Sequence, residues 1–213
     1  MRPLLIFDLD GTLIDSRLDL THAVNAMLRH MRRDALPTET VAAYVGNGAP
    51  VLVKKALGEG ATDAEAASGL EYFLDYYEAH KLDYTVLYPG VREGLKAFQK
   101  RDAVLAVLTN KPVRISEAIV DGLGLRRLFF RIYGGNSFEF KKPNPIGIER
   151  LMAEAECDAA HTIMVGDSAV DVRTARSAGV RCCGVSYGFQ PETLVDDPPD
   201  MLVDRLGDLG AYF

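Results

Sequence analysis

The chain has 213 residues, of which 48% are hydrophobic and 25% are charged, as in one globular domain or a core domain with a smaller insert. Its formal net charge of −6 argues against a protein that binds nucleic acid or a membrane surface, because such partners select a basic face. An acidic chain that binds an anionic substrate needs a bound cation and a few local donors.

The cysteines and the first apolar segment predict a cytoplasmic protein. Of the three cysteines, Cys182 and Cys183 are adjacent, so in a strand they point to opposite faces and are poorly placed to bond to each other. An odd count without paired spacing suits a reducing compartment. The apolar run Leu4–Phe7 is too short for a signal peptide or a membrane span.

Five short apolar runs predict β-strands, several of them continuous as in strands covered on both faces. They are Leu4–Phe7, Ala103–Leu108, Phe130–Tyr133, Thr162–Val165 and Val180–Val185. Helical patterns accompany the later runs, at Val91–Lys100, Val113–Leu123, Pro145–Glu156 and Val170–Ala178. This alternation predicts an α/β fold with a doubly wound, mainly parallel, Rossmann-like sheet. The Pro- and Asp-rich stretch 196–200 predicts a surface turn before one more short strand.

The first two predicted strands are separated by about ninety residues, far more than one crossover needs. An apolar stripe over residues 20–31 predicts a helix with Ser16 as its candidate N-cap, and further helices are predicted near 51–57 and over Leu70–Ala79. The segment Tyr84–Gly90 then returns to the sheet through a Pro-Gly turn. We therefore predict a helical cap domain at residues 16–84, inserted into a catalytic core of residues 1–15 and 85–213.

Polar side chains cluster around the ends of the predicted strands, at the edge where an open parallel sheet places its active site. The segments are Asp8-Leu9-Asp10-Gly11-Thr12 after the first strand, Thr109-Asn110-Lys111 after the second, Lys141-Lys142-Pro143 before the fourth, and Gly166-Asp167-Ser168 with Asp171 after it. Packing gives no reason to gather four carboxylates at one edge, whereas binding of a divalent metal ion does.

The spacing of these residues fits phosphoryl transfer. Asp8 and Asp10 lie two residues apart and face the same way on an extended chain. A carboxylate is a covalent nucleophile, but it repels a phosphate dianion unless a cation such as Mg²⁺, which prefers hard oxygen ligands, removes that repulsion. We predict that Asp8 is the nucleophile of a phospho-aspartyl mechanism, and that Mg²⁺ is bound by the Asp8 carboxylate, the Asp10 backbone carbonyl and Asp167.

Four further residues receive supporting catalytic roles. Asp10 is predicted to protonate the leaving alkoxide and then, once ionised, to deprotonate the hydrolytic water. Thr109 is predicted to hydrogen-bond the phosphoryl oxygens, and Lys142 to neutralise charge on the transferring group. Asp171 is predicted to orient the groups that hold the metal ion.

Substrate-binding residues are predicted in the same loops and in the cap. Gly11 lets the backbone bring its amide groups close to a phosphate, and Thr12 and Asn110 are assigned to the substrate with it. In the cap, Gly46-Asn47-Gly48 is either a turn in which Asn47 caps the next helix or a loop that meets the other end of the substrate. One aromatic group is interpreted as helix packing rather than a nucleotide-stacking platform: Tyr72, Phe73, Tyr76 and Tyr77.

The motifs resemble those of the haloacid dehalogenase superfamily, in order and over the whole chain. They are Phe7-Asp8-Leu9-Asp10-Gly11-Thr12-Leu13, Thr109-Asn110, Lys142-Pro143 and Gly166-Asp167-Ser168 with Asp171. Within it, the chain most resembles the bacterial phosphoglycolate phosphatases, through Asp15-Ser16, Val45–Ala49, Tyr88–Val91, Thr109–Pro112 and Lys142–Pro145. The resemblance implies a small phosphorylated metabolite as substrate, with phosphoglycolate as the first candidate. Gly135-Asn136-Ser137 departs from the Gly-Asp-Ser expected in that subfamily, a change that bears on the substrate rather than on the chemistry.

Other activities share parts of this pattern. A dehalogenase has no need of Asp10, and a phosphonate hydrolase would lack it and use a cap lysine such as Lys54 or Lys55. A pyrophosphatase, a sugar phosphatase, a nucleotidase and a sugar-phosphate mutase can share every catalytic residue, so they stay open. A non-catalytic phosphate-binding module would be expected to have lost one of the catalytic carboxylates or the lysine, and all are present. The sequence does not decide between a monomer and a homodimer.

Overall fold

The computed structural model describes residues 2–213, so Met1 of the predicted core segment lies outside the described residues. Its strands are β1 (Leu4–Phe7), β2 (Ile14–Asp15), β3 (Val86–Leu87), β4 (Val104–Leu108), β5 (Arg131–Tyr133), β6 (Thr162–Gly166), β7 (Arg181–Val185) and β8 (Met201–Val203). The five predicted strands are all present, with ends that differ by no more than one residue. The short strand expected after the Pro- and Asp-rich turn is β8.

The α-helices of the described chain cover the four predicted for the core and those predicted for the insert. They are α1 (Arg17–His30), α2 (Thr38–Ala42), α3 (Ala49–Leu57), α4 (Asp63–His80), α5 (Val91–Lys100), α6 (Val113–Gly122), α7 (Ile146–Ala155) and α8 (Ala169–Ala178). Helix α4 begins seven residues before the predicted start, because Thr62 and Glu65 form a capping box there. Helix α2 was not predicted, since five residues are too few for a helical period to show.

The prediction that Ser16 caps the first helix is wrong in its contact. Ser16 does occupy the N-cap position of α1, but its side chain makes no capping bond in the described structure. Its hydroxyl instead donates to Oδ1 of Asp10 at 2.5 Å. A cap bond would need the Ser16 oxygen to accept from a backbone N–H of the first turn, whereas here the hydroxyl is turned toward the charged Asp10 acceptor and ties α1 to the loop after β1.

Strand β1 lies at the centre of a parallel six-stranded sheet with the order β5-β4-β1-β6-β7-β8 in the described chain. In this register Phe7 is opposite Val107 of β4 and Val165 of β6. The residues that follow these three strands, Asp8, Thr109 and Asp167, therefore emerge side by side. The predicted convergence of the motifs is a direct consequence of this register.

Helices cover both faces of the sheet. On one face Leu5 and Phe7 join a hydrophobic cluster with residues of α5 and α6. On the other face Leu4 and Ile6 pack in a second cluster with residues of α7 and α8. Alternate residues of one short strand thus enter two separate layers, as the two-residue period of a strand requires. The doubly wound α/β prediction is confirmed.

Helices α1 to α4, which we call the cap helices, pack mainly on one another, with α1 in contact with α2, α3 and α4. The chain enters and leaves them through β2 and β3, which pair antiparallel with Ile14 opposite Leu87. Asp19, buried in the first turn of α1, accepts hydrogen bonds from the backbone N–H groups of Tyr84 and Thr85. This carboxylate ties the entering and leaving segments together. Within residues 2–213, the helices are all too short or too polar to span a membrane.

Candidate active site at the carboxyl edge of the sheet

Asp8 is fixed at the end of the central strand. Its backbone N–H donates to the Val165 carbonyl at 2.9 Å, which extends the ladder between β1 and β6 by one residue. One carboxylate oxygen accepts from the Leu9 N–H at 2.7 Å, and the other lies 3.0 Å from Nζ of Lys142. Asp8 is only 7% exposed, and burial raises its pKa to about 6 even though Lys142 opposes the shift. The protein thus holds a desolvated carboxylate in one orientation.

Gly11 allows the loop after β1 to approach Asp167. Its φ of +79° is in the left-handed region, and a Cβ there would lie 2.2 Å from Oδ2 of Asp167. The next residue, Thr12, donates its hydroxyl to the other Asp167 oxygen at 3.4 Å. Both residues therefore contact Asp167 in this structure, and their assignment to the substrate stays a prediction.

Asp167 follows β6 and is the most strongly perturbed carboxyl of the site. One of its oxygens accepts from the backbone N–H groups of Phe189, at 2.6 Å, and Gln190, at 3.3 Å. Burial, and then the negative charges of Asp171 and Asp8, raise its pKa to about 8. In the absence of a cation, Asp167 is therefore held in place by the backbone while its ionised form is disfavoured.

Lys142 is the cation of this cluster. Its Nζ lies 2.6 Å from Oδ1 of Asp171 and 3.0 Å from Oδ2 of Asp8, and its side chain is 1% exposed. The second oxygen of Asp171 accepts from the backbone N–H and the hydroxyl of Ser168, in the capping box of α8. Asp171 thus anchors Lys142 to the start of a helix. The neighbouring Lys141 instead donates to the backbone carbonyl of Asn47 in the cap at 2.6 Å.

The carboxylates of Asp8, Asp167 and Asp171 form the acidic group of the site, with oxygens that all lie within 4.8 Å of one another. Three buried carboxylates face one buried lysine, so negative charge is in excess. Carboxylate oxygens are the hard ligands that Mg²⁺ takes in proteins. The pKa values of Asp8 and Asp167 are raised by burial and by neighbouring negative charges, and a bound cation would offset this destabilisation of their ionised forms. The donor set therefore fits a bound divalent cation.

The Asp10 side chain lies outside this acidic group and pairs with Lys111. Nζ of Lys111 is 2.9 Å from Oδ1 and 2.8 Å from Oδ2 of Asp10, and the lysine side chain is 4% exposed. Burial by itself would lower the pKa of Lys111, but the adjacent Asp10 carboxylate raises it above the usual lysine value. No role was predicted for Lys111 from the sequence. Its position two residues after Thr109 was the only available signal.

Thr109 and Asn110 connect the loops around the site. The Thr109 hydroxyl accepts from the Lys111 N–H at 3.3 Å and faces the cavity described below. The Asn110 amide donates to the carbonyls of Gly46, at 2.8 Å, and Lys142, at 3.0 Å, and so joins the cap to the core. Its buried Oδ1 has no hydrogen-bond partner within residues 2–213, which leaves an acceptor at the cavity wall.

A cavity of about 50 Å³ separates the cap helices from the sheet edge. The core contributes polar groups, including Asp8, Asp10, Thr109 and Asp167, whereas the cap contributes mainly apolar side chains: Leu20, Leu52, Phe73 and Leu74. The cavity is bounded by the cap on one side and by the edge of the sheet on the other. Gly46 and Gly48 line the cavity, but Asn47 between them is not among its lining residues in the described chain. A substrate role for Asn47 stays a prediction.

Gln190 links the loop that contacts Asp167 to the cap. Its side-chain amide donates to the carbonyls of Ala42, Ala43 and Val45, at 3.3, 3.1 and 2.9 Å. Its backbone N–H, as described above, faces Asp167. One residue therefore contacts both the acidic group and the end of α2. The contact spans about 145 positions of sequence, so no local pattern could have indicated it.

Three further residues discussed from the sequence lie in different parts of the structure. Phe73 and Tyr77 stack with ring centres 5.7 Å apart, as the helix-packing interpretation predicts, but both also line the cavity. Asn136, which departs from the expected motif, accepts a hydrogen bond from the Val113 N–H at the start of α6, at 2.9 Å. The asparagine thus caps a helix, as an aspartate would, without entering the cavity.

Comparison with known proteins agrees with the fold and the motifs. The family model described as haloacid dehalogenase-like hydrolase matches residues 5–185. The phosphoglycolate phosphatase of Pseudomonas syringae pv. syringae is 44% identical over 209 residues, which cover 95% of this chain and 76% of that protein. Phosphoglycolate phosphatase 1 of Pseudomonas aeruginosa is 38% identical over 213 residues, 97% of this chain and 78% of its own.

The fold has a close counterpart among solved structures. The crystal structure of a predicted phosphoglycolate phosphatase from Haemophilus somnus superposes with a TM-score of 0.93 at 30% identity, and covers 99% of this chain and 97% of that one. Sheet order, motif positions and sequence relatives all agree, which confirms the predicted phosphatase. The chain belongs to the haloacid dehalogenase-like hydrolase family.

Proposed function

We propose that this phosphatase is Mg²⁺-dependent and hydrolyses 2-phosphoglycolate through a phospho-aspartyl intermediate on Asp8. The observation that carries the proposal is the placement of Asp8: it ends the central strand, is buried, and lies 3.0 Å from Lys142 within the acidic group. The names of the relatives at 38–44% identity support phosphoglycolate as the substrate.

The two chemical steps follow from the positions of Asp8 and Asp10. A carboxylate oxygen of Asp8 attacks phosphorus, the bond from phosphorus to the ester oxygen breaks, and Asp10 gives its proton to that oxygen. Asp10, now ionised, takes a proton from water, and the oxygen of this water attacks the same phosphorus. Breakage of the bond between phosphorus and Asp8 then releases phosphate and restores the free carboxylate.

The other site residues position the reacting groups and compensate their charge. Lys142 compensates charge on the transferring phosphoryl group, and Asp171 keeps its ammonium in place. Thr109 and the backbone around Gly11 donate hydrogen bonds to phosphoryl oxygens. The Asp8 and Asp167 carboxylates and the Asp10 backbone carbonyl would hold Mg²⁺, which when bound offsets the repulsion between Asp8 and the phosphate dianion.

The proposal also assigns the two parts of the chain. Residues 16–84 form the cap and residues 1–15 with 85–213 form the catalytic core. Closure of the cap over a small phosphorylated metabolite excludes bulk water from the reaction. The apolar cap wall and the small cavity support a small substrate rather than a nucleotide. The cysteines, which form no disulfide in the structure, support a cytoplasmic location.

A parallel phosphate-release assay tests the substrate. We would compare kcat/KM, with and without Mg²⁺, for 2-phosphoglycolate, pyrophosphate, hexose and pentose phosphates, and nucleoside monophosphates. A preference of tenfold or more for 2-phosphoglycolate, about 1.4 kcal/mol of transition-state discrimination, is the expected result. A flat profile would reject this substrate. Phosphate transfer that depends on a sugar bisphosphate would identify a mutase instead.

A further inference from the structure

Lys111 is a buried cation that lines the cavity, and no step of the proposed phosphoryl transfer uses it. It is the one cationic side chain that lines the cavity within residues 2–213. The other buried lysine of the site, Lys142, is already engaged by Asp8 and Asp171. The ammonium of Lys111 has only the Asp10 carboxylate as an anionic partner at hydrogen-bond distance. A ligand that enters the cavity therefore meets a desolvated positive charge beside the general acid.

Tyr77 adds a hydroxyl to the same corner from the cap. Its ring centre lies 4.6 Å from Nζ of Lys111, and the residue is 1% exposed. Among residues 2–213 its hydroxyl meets the geometry of a hydrogen bond with no group, although it lies close enough to Lys111 to act on the pKa of that lysine, and Tyr77 lines the cavity. An unpaired buried hydroxyl costs folding free energy unless a ligand satisfies it. The rest of the cap wall here is apolar, so Tyr77 of the cap and Lys111 of the core together form a polar corner beside Asp10.

The donors of this corner match one kind of ligand group. A lysine ammonium and a phenol hydroxyl together supply one positive charge and hydrogen-bond donors, which suits a monoanionic carboxylate. A second phosphate, with nearly two negative charges, would leave charge uncompensated in a buried, mainly apolar wall. A neutral alkyl group would leave both donors unsatisfied.

We propose that Lys111 and Tyr77 bind the carboxylate of the substrate, and that this corner is what selects a phosphorylated acid over a neutral phosphate ester. The proposal rests on the proposed function, since it names how the same site recognises its substrate. On binding, the substrate carboxylate replaces Asp10 as the partner of Lys111, and Asp10 takes up the proton that it later gives to the ester oxygen. The exchange leaves the Asp10 oxygens free to face the ester oxygen that departs.

Three esters of similar length test the corner in the unmodified protein. They are 2-phosphoglycolate with a carboxylate, ethyl phosphate with a neutral end, and O-phosphoethanolamine with an ammonium. We expect kcat/KM to fall at least a hundredfold from the first to the second, and further for the third. Similar values for all three would overturn the carboxylate corner while phosphatase activity stands. Turnover of an aryl phosphate but of none of the three would overturn the proposed substrate, and the corner with it.

Variants separate recognition from a structural role. The readout is the ratio of kcat/KM for 2-phosphoglycolate to that for ethyl phosphate. Lys111→Met should lower this ratio at least tenfold, Tyr77→Phe about three- to tenfold, and Lys111→Arg should retain part of it. Tyr72→Phe, a matched change on the same helix, should leave the ratio unchanged.

An effect through Asp10 or through packing would lower turnover of both esters equally. An unchanged ratio in both Tyr77→Phe and Lys111→Met would therefore overturn the proposal, and if Lys111→Met does not fold, an unchanged ratio in Tyr77→Phe alone would overturn it.

Discussion

The two sides of the cavity are lined by different kinds of side chain. The core side includes charged groups that follow β1, β4 and β6, and each is fixed by the backbone or by another charge, as Asp8 is by Leu9 and Lys142. The cap side consists of leucine and aromatic side chains, with Tyr77 as its polar exception. Strand register fixes the chemical groups, whereas the cap supplies the shape that a substrate must fill. The two sides should therefore respond to substitution in different kinetic parameters.

The two sides are joined at the mouth of the cavity by hydrogen bonds whose donors lie in the core and whose acceptors lie in the cap. Asn110, Lys141 and Gln190 of the core donate to backbone carbonyls of the cap, at residues between Ala42 and Asn47. The cap thus offers main-chain acceptors, and the core supplies the side chains that reach them. Closure of this loop depends on core residues more than on the identity of the cap side chains.

Among substitutions on the core side, replacement of Asp8 should cause the largest loss of activity. Asp8→Asn removes the nucleophile while keeping its size, and kcat should fall by about 10⁴-fold or more. Since the pKa of Asp8 is raised to about 6, its ionised form disfavours folding at pH 7, and the neutral variant should be at least as stable without metal. Phosphate release and thermal unfolding measure the two effects. Asp121→Asn, on the exposed side of α6, is the control, and a variant with more than 1% of normal turnover would refute the assignment.

Lys142→Met tests the charge balance of the core. It leaves Asp8 and Asp171 buried without their common cation, and a broken buried pair typically costs about 3–5 kcal/mol of folding free energy. We expect kcat to fall by about 10²–10³-fold, because compensation of the transferring charge is lost. Denaturant unfolding and steady-state kinetics check both. Lys141→Met removes only an exposed contact with the cap, so a similar loss there would contradict the distinction between the two lysines.

Gln190→Ala tests the link between the two sides. It removes three hydrogen bonds to the cap, worth together about 1–2 kcal/mol in a partly exposed site. We expect kcat/KM to fall about tenfold for a good substrate, with the larger part in KM, because closure becomes less favourable. Gln99→Ala, at the exposed end of α5, changes the chain's other glutamine and should have no effect. A fall in kcat alone would show that Gln190 acts through Asp167 rather than through the cap.

The difference between the core side and the cap side also explains which features could be predicted from the sequence. Short apolar runs identified the strands, and the rule that parallel strands share one carboxyl edge brought Asp8, Lys142 and Asp167 together before any coordinates were known. These predictions hold because they depend on main-chain geometry. The direction of the Asp10 side chain could not be predicted, since it depends on Lys111 and Ser16 across the fold.

Contacts between the cap and the core were the part that the sequence did not reveal. Tyr77 looked like an ordinary packing residue, because a helix-period pattern does not distinguish a core face from a cavity wall. The pairing of β2 with β3 and the contacts of Asp19 involve two-residue strands and one buried carboxylate, which have no periodic signal. The proposed corner of Lys111 and Tyr77 is also a contact between cap and core, so substrate choice is harder to predict than reaction type.

Substitution of Asn136 has the smallest expected effect. It tests whether this departure from the expected motif influences the choice of substrate. Its side chain caps α6 from outside the cavity. Asn136→Asp places a negative charge at the helix N-terminus and should stabilise the fold by about 0.3–1 kcal/mol, a gain that shrinks at high salt. Thermal unfolding at two ionic strengths measures it, with Asn136→Ala as the variant that loses the cap. The preference for 2-phosphoglycolate over ethyl phosphate should stay the same in all three proteins. A changed preference would mean that this loop, and not only the corner of Lys111 and Tyr77, contributes to substrate selection.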